Sequence, residues 1–248
     1  MRTLAEARAA FPKAKQVLPA RVAELAELKA RYLLLQPEPS PGVTEYVARN
    51  RALFSLEGLT HASPDGFWGF VTSSLMASPG NLGTFYKGWN EDGPESTVAS
   101  LRETIEYLLR GPGEEEDRLT QMVQGGTRGV GVVLLNKVLC VMQPDRFIAL
   151  LPYESDNGKG KQDIGRVVFG LSMPNSDSTG LSVGRLAYWS NDLLRDAVLA
   201  LRGPAFVNLE HAKEFLWNAF CYVQGWPSDF DDLPVDPASK AISDVPAT

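Results

Sequence analysis

The fold is decided by residues 125–153, which read Gly-Gly-Thr-Arg-Gly-Val-Gly-Val-Val-Leu-Leu-Asn-Lys-Val-Leu-Cys-Val-Met-Gln-Pro-Asp-Arg-Phe-Ile-Ala-Leu-Leu-Pro-Tyr. Between Val132 and Met142 only Asn136 and Lys137 interrupt the apolar residues, and a helix that is apolar on every side belongs inside a core. Pro144 cannot continue a helix, so this helix is expected to end just before it. The pattern predicts a buried central helix around which the rest of the chain packs.

The glycine turn Gly129-Val130-Gly131 has two interpretations at this level. Backbone N–H groups at a helix N-terminus can hold a phosphate, and hairpin DNA-binding loops contact a backbone through a Gly-x-Gly turn that opens a helix. Alternatively, the glycines form a tight turn that lets a buried helix begin close to its neighbours. A Walker-type nucleotide site is not predicted, because the sequence contains no Gly-x-x-x-x-Gly-Lys-Ser/Thr motif.

Composition and charge are those of a soluble globular protein, with 44% hydrophobic and 22% charged residues in a chain of 248. No apolar run reaches the ~18 residues of a membrane span, and the first residues lack the apolar core of a signal peptide. We therefore expect a cytoplasmic protein without a membrane partner. Cys140 and Cys221 lie in apolar surroundings and are predicted to be buried thiols. His61 and His211 have no ligands at metal-binding spacing, so neither a metal nor another cofactor is predicted.

Helical patterns recur along the whole chain, and we predict a mainly α-helical fold with few or no long strands. Three parts are expected: an N-terminal helical segment at 1–36, a helical core domain at 44–225 and an acidic, proline-rich tail or linker at 226–248. The four consecutive acids at 114–117 cannot all face one point on a helix. They are interpreted as a solvated first turn, which the helix dipole favours, and not as a metal site.

The net charge of −6 argues against a general nucleic-acid-binding surface. The charge is unevenly distributed, because residues 118–195 contain nine basic and six acidic side chains, a net charge of +3. Residues 65–89 are rich in aromatic side chains, including Trp68 and Trp89. These aromatic residues are either a stacking platform for bases or the apolar face of a helix that fills the core.

Residues 134–139 and 143–147, together with Arg128, resemble a segment in the N-terminal region of McrB-like AAA+ ATPases. Those proteins are the nucleotide-driven subunits of modification-dependent restriction systems. In that family a helix of this type ends in Pro-Asp-Arg/Glu-Phe, and a Lys- or Arg-bearing loop and a short helix follow, as residues 159–169 do here. The ATPase core is missing from this sequence. The resemblance therefore implies an accessory module of a prokaryotic defence system, which binds DNA or recruits an ATPase or nuclease subunit.

The leading hypothesis is a non-catalytic DNA-binding or adaptor module that needs no cofactor. The predicted phosphate contacts are Arg128, Gly129, Gly131, Lys137, Lys159, Lys161 and Arg166. Trp68 or Trp89 is predicted to stack on an extruded base. Two alternatives stay open. One is a glycosylase-type repair enzyme on a helix-hairpin-helix-like scaffold, with Asp145 as its candidate carboxylate. The other is an adaptor that binds only protein.

Overall fold

All regular secondary structure is helical in the computed structural model, which describes residues 1–230. The first seven helices are α1 (Leu4–Ala10), α2 (Pro19–Leu35), α3 (Pro41–Leu53), α4 (Leu56–His61), α5 (Pro64–Thr72), α6 (Gly83–Glu91) and α7 (Pro94–Arg110). The next six are α8 (Glu115–Gly125), α9 (Val132–Met142), α10 (Lys161–Ile164), α11 (Ser176–Thr179), α12 (Val183–Leu199) and α13 (Leu209–Val223). A 3-10 turn at Pro12–Lys15 and a π-helical turn at Gly165–Phe169 complete the regular elements. The predicted mainly α-helical class is confirmed.

Helix α9 lies inside the protein, as its apolar sequence predicts. Residues 134–141 are all buried, and α9 packs against α3, α7, α8 and α12. The helix ends at Met142, and the N–H of Gln143 still donates to the carbonyl of Leu139 at 2.7 Å. Pro144 follows this last bond and has no N–H with which to extend the helix. The predictions of a buried central helix and of its proline stop are both confirmed.

Buried apolar side chains form two clusters, and α12 contributes to both of them. The first cluster surrounds α9 and draws mainly on α3, α5, α6 and α7. The second surrounds α13 and draws on α2, α12 and the segment that contains α10. Tyr188 of α12 packs in the first cluster, while its neighbour Trp189 packs in the second. Helix α12 therefore joins the two halves of the core.

Helices α8 and α12 approach closely enough for their backbones to touch. A Cβ added at Gly184 of α12 would lie 1.9 Å from the carbonyl oxygen of Glu116, so a larger residue does not fit there. The hydroxyl of Thr120 donates to the hydroxyl of Ser182 at 2.9 Å and accepts the N–H of Gly184 at 3.1 Å. This contact joins α8 to the start of α12.

The predicted N-terminal segment, residues 1–36, packs in the second cluster together with α13. Leu25 and Tyr32 of α2 are buried there, and the ring of Tyr32 lies 5.6 Å from that of Phe215. The Nε2 of His211 lies 2.8 Å from the carbonyl oxygen of Gln36. Residues 1–36 therefore share a core with the C-terminal part of the predicted 44–225 domain.

The start of the predicted tail, 226–248, is held against α13. The side chains of Asn218 and Asp229 are joined at 2.9 Å, and the N–H of Asp229 donates to the Asn218 side chain at 3.0 Å. Phe230 is buried against Tyr32. The remainder of the predicted tail, residues 231–248, lies outside the described residues.

Candidate nucleic-acid interface

Helices α8 and α9 are joined by a short hairpin, residues 126–131, so that this region is a helix, a hairpin and a helix in sequence order. The hairpin is anchored to α7 by Thr127, which is buried. The hydroxyl of Thr127 lies 2.9 Å from that of Thr104, and its N–H donates to the same hydroxyl at 3.1 Å. A second hydroxyl, from Ser100, lies at 3.0 Å. These bonds fix where the hairpin turns.

Gly129 has the structural role that the tight-turn interpretation gives to the glycines. Its φ is +77°, in the left-handed region that L-residues with a side chain rarely occupy. A Cβ at this position would also lie 2.3 Å from the backbone nitrogen of Phe85. The backbone of the hairpin therefore packs directly against the backbone of α6, which only glycine allows.

Gly131 differs from Gly129, because its geometry does not require glycine. Its φ of −97° is accessible to any residue, and an added Cβ meets no heavy atom of the described chain within 4 Å. Gly131 is exposed and is the N-cap of α9, and among the described residues no side chain caps this helix. The first intrahelical bond is from Leu135 to Gly131 at 3.1 Å, so the N–H groups before Leu135 have no partner within the helix.

The start of α9 opens into a groove of about 510 Å³, which we call the hairpin groove. Its lining consists of residues 79–82, 84, 123–124 and 126–134, and it therefore includes Arg128, Gly129 and Gly131. Among the described residues that line it, Arg128 alone carries a charge. The groove combines a helix N-terminus, which is the positive end of the helix dipole, with one cation and no carboxylate.

Arg128 lies at the rim of the hairpin groove, with 44% of its side chain exposed. Its guanidinium contacts the carboxylate of Glu91 at 2.9 Å and that of Asp92 at 3.9 Å, both near the C-terminal end of α6. Both carboxylates are half exposed. Ion pairs between exposed side chains contribute at most about 1 kcal/mol, so Arg128 can exchange these partners for another anion.

Lys137 lies in the interior, where an external phosphate does not reach it. Its Nζ donates to the carbonyl of Phe70 at 3.2 Å and to that of Ser73, and it lies 5.1 Å from the centre of the Tyr46 ring. The two carbonyls belong to the end of α5, where a cation is favoured by the helix dipole. Burial lowers the pKa of the Lys137 ammonium to about 8. Lys137 joins α9 to α5 and does not belong to a surface that meets DNA.

Lys161 is also in the interior, although the sequence places it beside a glycine-rich loop. The residue is 2% exposed, and its Nζ lies 3.4 Å from the carbonyl oxygen of Ala187 in α12. Burial lowers the pKa of its ammonium to about 8, while the nearby Cys140 and Asp192 act in the opposite direction. Lys161 therefore joins α10 to α12, and it too is removed from the predicted phosphate contacts.

Lys159 and Arg166 are exposed, but they belong to the second half of the protein. The Nζ of Lys159 lies 5.0 Å from the ring centre of Trp226 and 5.6 Å from that of Trp217. Arg166 follows α10 and pairs with Asp163 at 2.9 Å. Trp217 belongs to α13 and Asp163 to α10, helices that contribute to the second cluster, whereas Arg128 contacts Glu91 of α6, a helix of the first. Of the seven predicted contacts, the structure brings together Arg128, Gly129 and Gly131.

The residues after α9 are engaged with Glu115, a contact that the sequence interpretation missed. The carboxylate of Glu115 accepts the Gln143 side chain at 2.9 Å and the Arg146 guanidinium at 2.5 Å. The hydroxyl of Tyr188 lies 3.4 Å away. We call these four residues the Glu115 cluster. The acids at 114–117 do form the start of α8, as predicted, but Glu115 is not simply solvated.

Asp145, the carboxylate of the glycosylase alternative, is exposed in the turn that follows α9. It lies at the opposite end of α9 from the hairpin groove, about 16 Å away along a helix of this length. A catalytic carboxylate in base-excision chemistry has to meet its substrate in a pocket that encloses the extruded base. Asp145 is exposed and is not among the residues that line the hairpin groove.

An aromatic patch lies on α5 and α6, beside the hairpin groove. It consists of Trp68, Tyr86 and Trp89, and the ring centre of Trp68 lies 5.4 Å from that of Tyr86 and 4.9 Å from that of Trp89. Trp68 is 36% and Tyr86 39% exposed, while Trp89 is partly buried against Phe85 of the first cluster. The aromatic side chains of residues 65–89 therefore include both buried core residues and exposed surface residues.

Metal sites and membrane-spanning helices are both absent from residues 1–230. No group of three or more His, Cys, Asp or Glu side chains is placed to hold a metal ion. No helix in that part of the chain has the length and the apolar composition needed to cross a bilayer. Cys140 and Cys221 are free and buried, as predicted. The hairpin groove remains as the feature with a clear ligand chemistry.

Comparison with known proteins found no match: no family model fits the chain, and no curated protein or solved structure is significantly similar to it.

Proposed function

We propose that this protein is a non-catalytic module that binds the phosphate backbone of DNA in the hairpin groove. The observation that carries the proposal is the open N-terminus of α9. Gly131 precedes it without a capping side chain, the N–H groups of its first turn have no partner within the helix, and Arg128 lies at the rim. A phosphate oxygen is the acceptor that such an arrangement favours.

The electrostatics of the hairpin groove favour an anion despite the protein's net charge of −6. The N-terminus of a helix carries about half a positive charge, and it acts over the first turn. Arg128 adds a full charge and, as a guanidinium, can form two parallel hydrogen bonds to one phosphate. The negative charge elsewhere on the protein repels DNA and so favours contact through this groove alone.

Fewer residues can contact phosphate than the sequence predicts. The smaller number of contacts limits the expected affinity for DNA. Arg128, Gly129 and Gly131 reach one or two phosphates, whereas Lys137 and Lys161 are interior. Each neutralised phosphate contributes about 0.9 to the slope of log affinity against log salt for duplex DNA. We therefore expect weak binding with a shallow salt dependence.

A place in a prokaryotic restriction or defence system is proposed from the sequence resemblance alone. Residues 134–139 and 143–147 carry that resemblance. In such a system, a module that holds DNA would act together with an ATPase or nuclease subunit. We propose such a subunit as the protein partner.

A second candidate function, an adaptor that binds only protein, is favoured by a different surface. Trp217 and Trp226 are each exposed by 38%, and their ring centres lie 5.6 and 5.0 Å from the Nζ of Lys159 in the second half of the protein. Exposed aromatic residues of this kind are enriched at protein interfaces. The two candidate functions use different surfaces, because an adaptor that binds only protein would not need the hairpin groove.

The test is a fluorescence anisotropy titration with labelled DNA at low and at physiological salt. Wild-type protein is compared with Arg128→Ala and with Arg166→Ala, a matched control in which an exposed arginine of the other half is removed. The proposal predicts binding at low salt that Arg128→Ala weakens about fivefold, the effect of one charged phosphate contact. An equal loss of DNA affinity in both variants would contradict the proposal. So would the absence of any DNA binding by the wild-type protein at low salt.

A further inference from the structure

We infer that Trp217 and Trp226 form a binding site for a quaternary ammonium group, and that the side chain of Lys159 occupies this site when no such ligand is bound. Trp217 belongs to α13, and Trp226 belongs to the segment that follows this helix. The inference concerns a small cationic ligand and does not depend on DNA binding at the hairpin groove.

The two indole rings form the walls of a corner that has Phe220 as its floor. The ring centre of Phe220 lies 5.9 Å from that of Trp217 and 5.6 Å from that of Trp226. The ring of Phe220 is inclined by 32° to that of Trp217 but by 88° to that of Trp226, so the two indole planes are far from parallel. Phe220 is buried, whereas both indoles are exposed. We call these three residues the indole corner.

The ammonium group of Lys159 lies at the indole corner. Its Nζ is 5.6 Å from the ring centre of Trp217 and 5.0 Å from that of Trp226, and both distances are within the range of about 6 Å over which an aromatic face attracts a cation. Within residues 1–230, no hydrogen bond or ion pair holds the Lys159 side chain. The two rings are its partners in that part of the chain, and the corner therefore accepts a cation.

The backbone around Lys159 is fixed by contacts that do not involve its side chain. The N–H of Lys161 donates to the carbonyl of Pro152 at 2.9 Å. A Cβ at Gly160 would lie 2.4 Å from the carbonyl oxygen of Tyr153, so the loop packs closely at this glycine. The side chain of Lys159 can therefore leave the indole corner without unfolding its loop.

The hydration of the competing cations favours a quaternary ammonium group over a lysine of another protein. A primary ammonium group is strongly hydrated and has three N–H donors, which find no acceptor at the indole corner. A quaternary ammonium group has no donor to leave unpaired, and its methyl groups bury apolar area against the rings. It is the cation best suited to replace Lys159, whose tether gives it an advantage over a free lysine.

The charge near the indole corner also favours a cationic ligand. Asp229, Asp231 and Asp232 lie within the six residues that follow Trp226 in the sequence. The carboxylate of Asp229 accepts a hydrogen bond from the side chain of Asn218 in α13 at 2.9 Å. Together with the net charge of −6, these carboxylates attract cations and repel the phosphates of a nucleic acid. The aromatic rings of the corner are therefore not a surface for stacking bases.

The test is an NMR titration that follows the five tryptophan indole N–H signals. The first ligand is choline, and the second is its neutral carbon analogue, in which a tert-butyl group replaces the trimethylammonium group. The third ligand is the acetylated amide of trimethyl-lysine. It distinguishes a protein side chain from a small molecule as the source of the quaternary group.

Four variants are compared with the wild-type protein. Lys159→Ala empties the indole corner, and Arg166→Ala is its control, because it removes the same charge from an exposed side chain in the same half. Trp226→Ala removes one wall of the corner, whereas Trp226→Phe keeps an aromatic face there. Thermal unfolding of each variant shows whether it is folded.

We expect choline to shift the indole signals of Trp217 and Trp226 and to leave that of Trp68 unchanged, and we expect the carbon analogue to bind at least about fivefold more weakly. Lys159→Ala should tighten choline binding about threefold, the factor that corresponds to a cation–π contact at an exposed site, while Arg166→Ala should not. Trp226→Ala should weaken choline binding about fivefold, and Trp226→Phe should weaken it less.

Equal binding of choline and its carbon analogue would overturn the inference, because the indole corner would then be an apolar surface and not a cation site. Choline affinity that Lys159→Ala leaves unchanged would overturn it as well, and so would indole signals of Trp217 and Trp226 that do not move. Tighter binding of the trimethyl-lysine amide than of choline would support the inference and identify a protein side chain as the source. The reverse order would support it and identify a small molecule.

Discussion

The two ends of α9 differ in what surrounds them, although the sequence marks both with a motif. At the N-terminal end, Gly131 is exposed, no side chain of the described chain caps the helix, and the residues of the first turn line the hairpin groove. At the C-terminal end, Gln143 and Arg146 are bound by Glu115. The N-terminal end has backbone N–H groups without a partner in the helix, whereas the side chains of Gln143 and Arg146 at the C-terminal end already have one.

The C-terminal end is also fixed by α12, which leaves its motif little freedom to bind a ligand. The side chain of Asn191 donates to the carbonyl of Arg146 at 2.8 Å and accepts the N–H of Ile148 at 2.9 Å. The guanidinium of Arg146 lies over the ring of Tyr188, 5.0 Å from its centre. The Pro-Asp-Arg-Phe motif, which carries much of the sequence resemblance, therefore has an internal structural role. The open N-terminal end of α9 is therefore the end at which a ligand has groups left to bind.

The largest expected effect on stability is at Gly129, in the hairpin itself. Gly129→Ala forces a side chain into the left-handed region and into the backbone of Phe85, and we expect it to lower the free energy of unfolding by about 3 kcal/mol. Gly131→Ala is the control, with an expected loss below about 1 kcal/mol. Urea unfolding measures both. Similar losses at the two glycines would show that the hairpin is not held as described.

The next largest effect is expected at the closed end of α9. Glu115→Ala removes the acceptor of Gln143 and Arg146 and should lower the free energy of unfolding by about 2 kcal/mol, with DNA affinity unchanged. Glu114→Ala is its control, because Glu114 is exposed and makes no capping bond to α8. A loss of DNA affinity in Glu115→Ala, with stability retained, would reverse the roles assigned to the two ends.

Two buried lysines, Lys137 in the middle of α9 and Lys161 in α10, are expected to have a smaller effect on stability. This effect depends on pH. Burial lowers the pKa of Lys137 and Lys161 to about 8, below the value of 10.5 for an unburied lysine. Between these values the unfolded chain binds more protons, so stability rises with pH, by about 1 kcal/mol for each lysine from about pH 7 to about pH 9. Above pH 9 the buried thiol of Cys140, whose pKa is raised, opposes this gain.

Urea unfolding at the two pH values measures this gain. Lys137→Met should remove about half of it, whereas Lys159→Met, at an exposed lysine, should leave it unchanged. Stability that is flat or falls over this interval would mean that the two ammonium groups are not desolvated in the folded protein.

The smallest expected effect on the free energy of unfolding is at Gly131. One substitution there should change stability and DNA affinity in opposite directions. Gly131→Asp places a carboxylate at the N-cap of α9, where it can accept the free N–H groups and interact favourably with the dipole. We expect the free energy of unfolding to rise by about 0.5 kcal/mol and DNA affinity to fall at least about tenfold, because the carboxylate occupies and repels the phosphate position. Gly131→Ser, which caps without charge, should lose less affinity. Unchanged DNA affinity in Gly131→Asp would exclude the N-terminus of α9 as the phosphate site.

The fold could be predicted from the sequence where a pattern has one physical cause. An uninterrupted apolar helix has to be buried, and a proline has to end it, so both boundaries of α9 followed from residues 132–144. The same pattern also implied that Lys137 is interior, since it lies in the middle of that helix. The prediction that Lys137 contacts phosphate conflicts with that burial, and Lys137 is buried in the structure.

Other parts of the site depend on contacts between distant residues, which a single sequence does not contain. Lys161 is buried because α12 covers it, and Glu115 binds Gln143 and Arg146 because α8 packs beside the end of α9. Gly129 and Gly131 lie on either side of Val130 in the hairpin, but they have different roles. That difference comes from the approach of Phe85 to Gly129, which is 44 residues away along the chain (129 − 85 = 44).

The most direct test of the central claim is an amide NMR titration of isotope-labelled protein with oligothymidylate at low salt. The account predicts that the largest chemical-shift changes occur at the backbone amides of residues 129–134, which form the hairpin and the first turn of α9. Changes centred on residues 159–166 or 217–226, with the hairpin amides unmoved, would contradict it.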